Sequence, residues 1–504
     1  MFRQVIGAAA LAFLVSGAAP SSAPAKAPRE IVVLHFNDFH GQVEPVKGRD
    51  GAEAGGLPRL AGLVEKVRGE EEAAGRPVLL LFAGDAFTGT AFSTLFQGAP
   101  DFAAFQQMGV SAMVTGNHEW DFGPAVIAAR VKSVRFPVLA ANVKPAAGQA
   151  GFLKPFATLR AGAMKIGVIG VTTAETPLTT APGNTKGYSF SDPVGAVGKA
   201  LQEGRTEGWD AVVVLSHCGF EVDKAIASKY PGLSLIVGGH DHKELQAPWV
   251  ENGVPIVQAG DRGRLLGEVR LFVGSPARPT KGCLLPVDGS SPEDPKVAAI
   301  LAGPLEQERR ELGSVLGTLP EAMSGDRNLL RTAEAPIGDL LADAMRKESG
   351  AEAAFVNSGA IRAGLPKGPV KGTDLYACLP FFDSLVTCRL TGAQIQRLLD
   401  RCASMPVVDA PGGFLQVSGL SAVYTGGKAL KVSADGKPLE PGREYTVACT
   451  HFLLSGGDGL EEFTQAKDVR DWGLSLQEIL RRQLVRKDLK IPEAGSRIRR
   501  EADP

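Results

Sequence analysis

Five times in the first half of the chain, a short apolar run stops at a polar turn carrying a side chain able to hold a metal ion. The turns are Asp38-Phe39-His40, Gly84-Asp85, Gly116-Asn117-His118-Glu119, Ser216-His217 and Gly239-His240-Asp241-His242. The runs before them, at 31–36, 77–82, 112–115, 210–215 and 233–237, are apolar enough to be buried on both faces. Helical spacing, as at 57–67, falls between them. This alternation predicts an α/β layered domain whose sheet is covered on both faces. Open sheets of this kind gather their ligands at the carboxyl ends of the strands, where all five turns fall.

Histidine is concentrated in the same places. The 504 residues include 7 His, and His40, His118, His217, His240 and His242 all lie in these turns. Asp38 and His40, one residue apart, can point at one cation. Asp85 has two oxygens, suited to bridging two cations, and Asn117 offers a neutral carbonyl oxygen. His217 and His240 supply nitrogen to one ion, and His242 to the other. Mixed oxygen and nitrogen ligands suit two divalent ions such as Mn, Zn, Co or Fe. Such a pair lowers the pKa of a shared water and neutralises oxygens during in-line attack. His118, beside Asn117, is free to stabilise charge or protonate a leaving oxygen, with Asp121 orienting its other nitrogen. Singly, Gly-Asp after a strand is a common turn and a lone His is commonly an interior one; the ordered set of five is specific. His35, inside the first run, reads as a packed, satisfied His rather than a ligand.

Composition narrows the class. Hydrophobic residues make up 44% and charged residues 22%, as in an ordinary soluble globular protein. Lys+Arg 54 against Asp+Glu 55 leaves a net charge of -1, so no basic surplus argues for nucleic acid as a partner. Arg3 precedes an apolar run at 5–15 and then small residues, with Ala23-Pro24-Ala25 or Ser16-Gly17-Ala18 as cleavage sites. Residues 1–25 are therefore expected to be a signal peptide, giving a periplasmic or secreted protein without a stable membrane anchor; an uncleaved anchor is the alternative. The six Cys form no CxxC pair and read as buried thiols with room for one disulfide of open connectivity. Cys218, beside His217, reads as a packing neighbour of the site.

The expected organisation is a first domain over 30–285, a linker over 286–325 with a helix at 297–312, and a second domain over 326–500. The second has helical patterns at 337–348 and 392–402 and β-like runs at 353–356, 414–424 and 444–450. Residues 497–504 are polar and expected to fray.

On these motifs the chain resembles the calcineurin-like metallophosphoesterases, and within them the exported 5'-nucleotidase / UDP-sugar hydrolase / 2',3'-cyclic-nucleotide phosphodiesterase family. The resemblance covers nearly everything after residue 25 and includes Asn37 through Gly41, Asn117 through Gly123 and Pro255 through Gly260. It implies a four-layer αββα-type domain followed by a smaller α+β substrate-binding domain. It implies Asp38, His40, Asp85, Asn117, His217, His240 and His242 as metal ligands, and His118 with Asp121 as catalytic dyad. In the second domain, Asn357-Ser358-Gly359-Ala360-Ile361-Arg362 resembles the motif that meets ribose and phosphate. Leu379-Pro380-Phe381 and the stretch from Phe452 to Gly459 resemble the segments whose phenylalanines sandwich the base. The side chains fit those roles: aromatic faces stack on any base, Arg362 can fork onto phosphate, and Asp458 can accept from ribose hydroxyls. Arg331 is the candidate for a further phosphate clamp. The chain departs from the pattern at Trp120, where Phe is usual, at Ala360, where many relatives carry Gly, and at Ala333, where some carry Arg. The expected activity is removal of phosphate from nucleoside 5'-monophosphates, with UDP-sugars as further substrates. The alternatives are a 2',3'-cyclic-nucleotide 2'-phosphodiesterase/3'-nucleotidase, the sulfur-ester hydrolase branch of the same fold, and a non-catalytic nucleotide-binding relative. A binder should have lost ligands, and here all are present.

Overall fold

Strand alternation decides how the first domain layers. In the computed structural model the described residues are 29–47, 52–149, 151–180, 183–273, 280–381, 383–408, 411–486 and 489–501; the expected signal segment lies outside them. One six-stranded sheet runs, in spatial order, Lys281–Pro286, Leu265–Val273, Arg29–Phe36, Val78–Phe82, Ala112–Val114 and Val138–Leu139. The second runs Trp249–Glu251, Val254–Val257, Leu235–Val237, Ala211–His217, Met164–Thr172 and Phe156–Ala161. Successive side chains on a strand point to opposite faces. Ile31, Val33, Leu79 and Leu81 therefore meet Val168, Val213 and Leu215 of the other sheet, in one core between the two. Val32, Leu34, Phe36, Leu80 and Phe82 turn the other way, onto Leu60, Phe102 and Phe105 of the helices Leu57–Ala73 and Ala99–Met108. Ile169, Val214 and Ile236 likewise meet Val197 and Ile226 of Pro193–Glu203 and Phe220–Lys229. Helix, sheet, sheet, helix is the four-layer arrangement the resemblance implied.

The helix Pro295–Leu312 starts at Asp294, whose side chain accepts from Lys296 and Val297 N–H. Val297 and Leu301 join the same core as Leu60 and Phe105, so this helix packs with the first domain's layers. Beyond it, a five-stranded sheet runs Leu415–Ser418, Ala353–Asn357, Glu444–Thr450, Ser384–Thr391 and Lys467–Ser475. Helices Pro336–Ser349 and Leu476–Leu484 cover one face, and Gly392–Ser404 the other. This is the smaller α+β unit.

Several expectations change. The run at 414–424 is two strands in two different sheets, Leu415–Ser418 and Leu420–Thr425, broken at Gly419 with φ +74°. A side chain at Gly419 would meet the Glu352 carbonyl oxygen at 2.3 Å, so the break is enforced twice. Of the stretch expected to fray, 497–501 is anchored and 502–504 lies outside the described residues: Ile498–Arg500 pairs with Leu420–Thr425. The Glu334 carboxylate accepts from the N–H groups of Ser496, Arg497 and Ile498, and Arg497 holds Asp343 through two nitrogens. The six cysteines are free, and Cys283 is exposed, against the expectation that all are buried. Cys218 is packed in the core behind the second sheet, as expected. His217 is the last residue of its strand rather than the turn after it.

His35 is buried but not satisfied. Its ring lies over Gly267, its partner in register, where a Cβ would come within 2.0 Å of Nε2. Nδ1 has no hydrogen-bond partner among the described residues. Burial lowers its pKa from 6.5 to about 3. The unfolded chain therefore takes up a proton below pH 6.5 that the folded core refuses, and stability falls as pH drops from 6.5. By pH 5 this one group costs about 2 kcal/mol. His35→Leu is expected to show a smaller fall in melting temperature between pH 7 and pH 5 than the parent protein; an identical fall would contradict this reading.

Candidate active site

Five of the expected ligands hold backbone angles that residues with side chains avoid: φ is +49° at Asp38, +55° at His40, +59° at Asp85, +86° at His240 and +60° at His242. Each such residue costs on the order of 1–3 kcal/mol and persists only where its surroundings over-determine it. Here the loops are stitched to one another. Asp38 N donates to Gly84 O at 2.9 Å, His40 N to Asp85 O at 2.9 Å, and Gly41 N to Ala86 O at 2.8 Å. Asn37 accepts from Ala259 N at 2.8 Å and donates to Gly260 O at 2.6 Å and to Asp38 Oδ2 at 2.8 Å. Glu119 accepts from Asp85 N at 3.0 Å, Ala86 N at 2.6 Å and Gly116 N at 2.5 Å, tying the second turn to the third. Burial, then the neighbouring Asp85, pushes the Glu119 carboxyl up to about 7 against those donors. Gly116 leaves room for Asp85, because a Cβ there would lie 2.0 Å from Asp85 Oδ1.

The ligand atoms converge. His40 Nε2 lies 3.2 Å from His242 Nε2, and Asp38 Oδ1 lies 3.3 Å from His242 Nε2 and 4.0 Å from His40 Nε2. A cation about 2.1 Å from each of its ligands sets neighbouring ligand atoms about 3.0–3.4 Å apart. The tautomers agree with that fit. His40 Nδ1 donates to the Thr88 carbonyl at 2.8 Å, and His242 Nδ1 faces Asp261 Oδ2 at 3.5 Å. The two Nε2 lone pairs then face each other, an arrangement that a shared cation stabilises. On the other side, His217 Nδ1 donates to Ala83 O at 2.6 Å, so Nε2 points to Asp85 Oδ2, 3.1 Å away, without hydrogen-bond geometry. Asn117 Oδ1 lies 3.1 Å from His240 Nδ1. Asp85 Oδ2 is also 4.0 Å from His40 Nε2, between the two groups. Among the described residues, three sets bring their ligand atoms together: Asp38, His40 and His242; His40, Asp85 and His118; and Asp38, Asp85 and His217. These donors suit divalent cations, and Asn117 and His240 would add an oxygen and a nitrogen beside them.

His118 stands over this cage. Its Nδ1 donates to Asp121 Oδ2 at 2.6 Å, and its Nε2 faces Arg362 Nη2 at 3.3 Å. Burial works against its charged form, yet Asp121 and Asp85 outweigh burial and raise its pKa. Asp121 is itself held by Thr88 Oγ1 at 2.7 Å and Thr180 Oγ1 at 2.8 Å. Thr88 joins both halves of the site: its carbonyl orients His40 and its hydroxyl orients Asp121. It does so at φ +61°, which a β-branched residue rarely adopts.

The remaining predicted residues come from the second domain and line the same cleft, of about 1350 Å³. Asn357 Nδ2 donates to Asp458 Oδ2 at 2.7 Å, and burial raises the Asp458 pKa. Phe381 lies 5.9 Å from the His118 ring. Phe452 lies against Gly457, where a Cβ would meet its ring at 2.4 Å. Burial, with Arg327 and Arg362 nearby, lowers the Arg331 pKa to about 9. All the predicted site residues but Asp38 and His217 line this cleft; those two are fully buried. Sequence reasoning missed Thr88, Asp261, Arg262, Arg327 and Asp383. The last accepts from Phe452 N at 3.1 Å and so ties the two phenylalanine segments together. Asn37 and Glu119 were visible inside the motifs, but not their anchoring roles.

Residues 31–244 match the model of the calcineurin-like phosphoesterases, and residues 315–467 that of the 5'-nucleotidase C-terminal domain. The chain is 30% identical to the 5'-nucleotidase of Bos taurus, over 89% of this chain and 87% of that protein. It belongs to the 5'-nucleotidase family. A crystal structure of a 5'-nucleotidase precursor from Thermus thermophilus superposes with a TM-score of 0.84 at 30% identity, over 94% of this chain and all of that one. The trifunctional nucleotide phosphoesterase YfkN of Bacillus subtilis is 30% identical over 93% of this chain, which spans only 35% of that longer protein. The chain is thus a metal-dependent phosphoric-ester hydrolase of this family.

Thr88→Val removes the hydroxyl from Asp121 while keeping the side-chain shape. It is expected to lower kcat about tenfold or more, leave two equivalents of bound metal by elemental analysis, and leave KM within about twofold. Loss of metal instead would show that the hydroxyl matters to the cage and not to the dyad.

Proposed function

We propose that this chain removes phosphate from nucleoside 5'-monophosphates, after export to the periplasm or the medium. One observation carries the reading: five of the seven expected cation ligands, the His118–Arg362 contact, and Phe381 with Phe452 share a single cleft. Two divalent ions, when bound by the seven ligands, supply Lewis acidity and a water of lowered pKa. The chain's own residues do the rest. Arg362 Nη2 and His118 Nε2 face the same point from opposite domains, so a phosphate placed there meets a guanidinium fork and an imidazole together. Asp121 holds Nδ1–H, which keeps Nε2 directed at the phosphate and favours the charged ring that can hold a proton against the leaving oxygen. Arg331 adds positive charge along the path between phosphate and nucleoside. Phe381 and Phe452 offer faces to a base, and Asp458, positioned by Asn357, accepts from ribose hydroxyls. Export agrees with the apolar N-terminal run, and among the described residues no helix is long and apolar enough to cross a membrane.

The test is phosphate release from AMP, UDP-glucose and 2',3'-cyclic AMP by metal-stripped and metal-restored protein. AMP should be the best substrate, with activity lost on stripping and regained on restoration. Preference for the cyclic nucleotide would replace this reading with the phosphodiesterase one, and nucleotide binding without turnover in fully loaded protein would replace it with a binding role. Phe381→Ala should raise KM for AMP by about 5- to 100-fold, since base stacking contributes about 1–3 kcal/mol. The same variant should hydrolyse p-nitrophenyl phosphate, which has no base, within about threefold of the parent; equal losses on both esters would assign Phe381 to the core.

A further inference from the structure

Two arginines cross the domain boundary in opposite directions. Arg362 reaches out of the second domain to His118, with 3.3 Å between Nη2 and Nε2. Arg262 reaches out of the first domain to the backbone of that same arginine, with 3.4 Å from its Nη2 to the Arg362 carbonyl oxygen. Its Nη1 lies 3.4 Å from Gln42 Oε1. Arg262 is fixed at its own root: its N–H donates to the Asp38 carbonyl at 2.7 Å, and its φ is +55°. A residue with a side chain is strained at that angle, and a glycine would relieve the strain. What a glycine would lack is the guanidinium.

The neighbouring acid pairs with that guanidinium only through its Nε, 3.8 Å from Asp261 Oδ2. Asp261 accepts from Arg264 Nε at 3.1 Å through Oδ1, and its Oδ2 faces His242. Arg262 Nε stays 3.8 Å from Asp261, so the two terminal nitrogens are left to Gln42 and Arg362. The Arg362 backbone is then held from both sides. Its N–H donates to Cys378 O at 2.8 Å within the second domain, and its carbonyl accepts from the first.

We propose that Arg262 is a positioning residue: by holding the Arg362 carbonyl across the boundary, it fixes the Arg362 guanidinium against His118 and so sets how phosphate is gripped. This rests on the reading above that Arg362 binds the phosphate of the substrate. Arg262 acts through Arg362, and the two side chains are one functional unit. A misplacement of the guanidinium by about 1 Å is enough to cost on the order of a hundredfold in rate.

The test is a double-mutant cycle on the full, metal-loaded chain, with R262M, R362M, the pair and R262K, read by AMP kinetics and by calorimetric binding of inorganic phosphate. R262M should lower kcat/KM by about 10- to 100-fold and weaken phosphate binding, and R262K should recover part of both. In the R362M background, R262M should change neither quantity by more than about twofold. If the two losses multiply, Arg262 acts independently of Arg362 and the proposal fails. It fails also if R262M leaves phosphate binding and kcat/KM unchanged. Melting curves accompany each variant, and if R262M does not fold, the cycle is run with R262K. If the parent chain hydrolyses no nucleotide, the functional reading falls, while the phosphate-binding cycle still tests the coupling of the two arginines.

Discussion

Asp38 and Asp85 are carboxylates with 0% and 2% of their surface exposed, and their burial is the constraint on which the first domain depends. A buried charge is tolerated only when paired and hydrogen-bonded. Asp85 Oδ1 accepts from His118 N at 3.0 Å, and both Asp38 oxygens accept from His240 N, at 3.2 and 3.0 Å. Burial alone would raise both carboxyl pKa values, but the surrounding imidazoles outweigh it and hold both acids below the usual carboxylate range. Those compensating groups belong to different turns, at the ends of strands in both sheets. The two sheets must therefore pack in one relative position for either acid to be compensated. The buried apolar layer of Ile31, Val33, Leu79, Val213 and Leu215 between them provides that rigidity. Left-handed backbone at five ligands is the local cost of aiming so many side chains at one volume, and the cross-loop bonds of Asn37 and Glu119 offset it.

What the sequence disclosed follows from the same physics. A metal ligand must have a particular side-chain chemistry, and here each stands right after an apolar run, so residue type and position both mark it. Thr88 carries no such mark. It acts through a carbonyl turned to His40 and a hydroxyl turned to Asp121, and its left-handed backbone is opposite to what a threonine suggests. Asp383 and Arg262 escape for a related reason, since what they hold is another residue's main chain. The apolar runs located the strands that carry the ligands, yet they could not show that 414–424 divides between two sheets, because the break depends on Glu352 lying against Gly419. The C-terminal stretch looked loose because its anchor, Glu334, is 164 residues from Ile498. His35 was recognised as interior, but nothing in a strand's composition tells whether a buried imidazole finds a partner.

The two domains divide the chemistry unequally. The first has every expected cation ligand and the His118–Asp121 pair, while Phe381, Phe452 and Asp458 on the facing side of the cleft come from the second. The second gathers Arg331 and Arg362, whose pKa values are lowered first by burial and then by the nearby Arg327. Crowded guanidinium groups are stabilised by an anion between them, which supports the proposal that this face receives the phosphate. On the proposed reading neither domain completes the phosphate site alone: the first has His118 and the expected cation ligands, and the second has Arg362.

The hydrogen bonds that join the domains at the site are long ones, the 3.3 Å contact of Arg362 Nη2 to His118 Nε2 among them. Thr94 Oγ1 donates to Pro380 O at 3.2 Å, and the Arg262 contact to Arg362 is 3.4 Å. Hydrogen bonds this long contribute at the low end of about 0.5–1.5 kcal/mol each. A bound phosphate adds charge-assisted bonds to both sides at once, and these are roughly twice as strong. The apposition of the domains and the grip on phosphate are then one equilibrium. An anion that satisfies Arg362, His118 and the cations together favours this arrangement, and one that satisfies only one side does not. On the proposed reading, a phosphate ester with a nucleoside attached is favoured because it would engage the cation ligands, the arginines and the phenylalanine segments simultaneously.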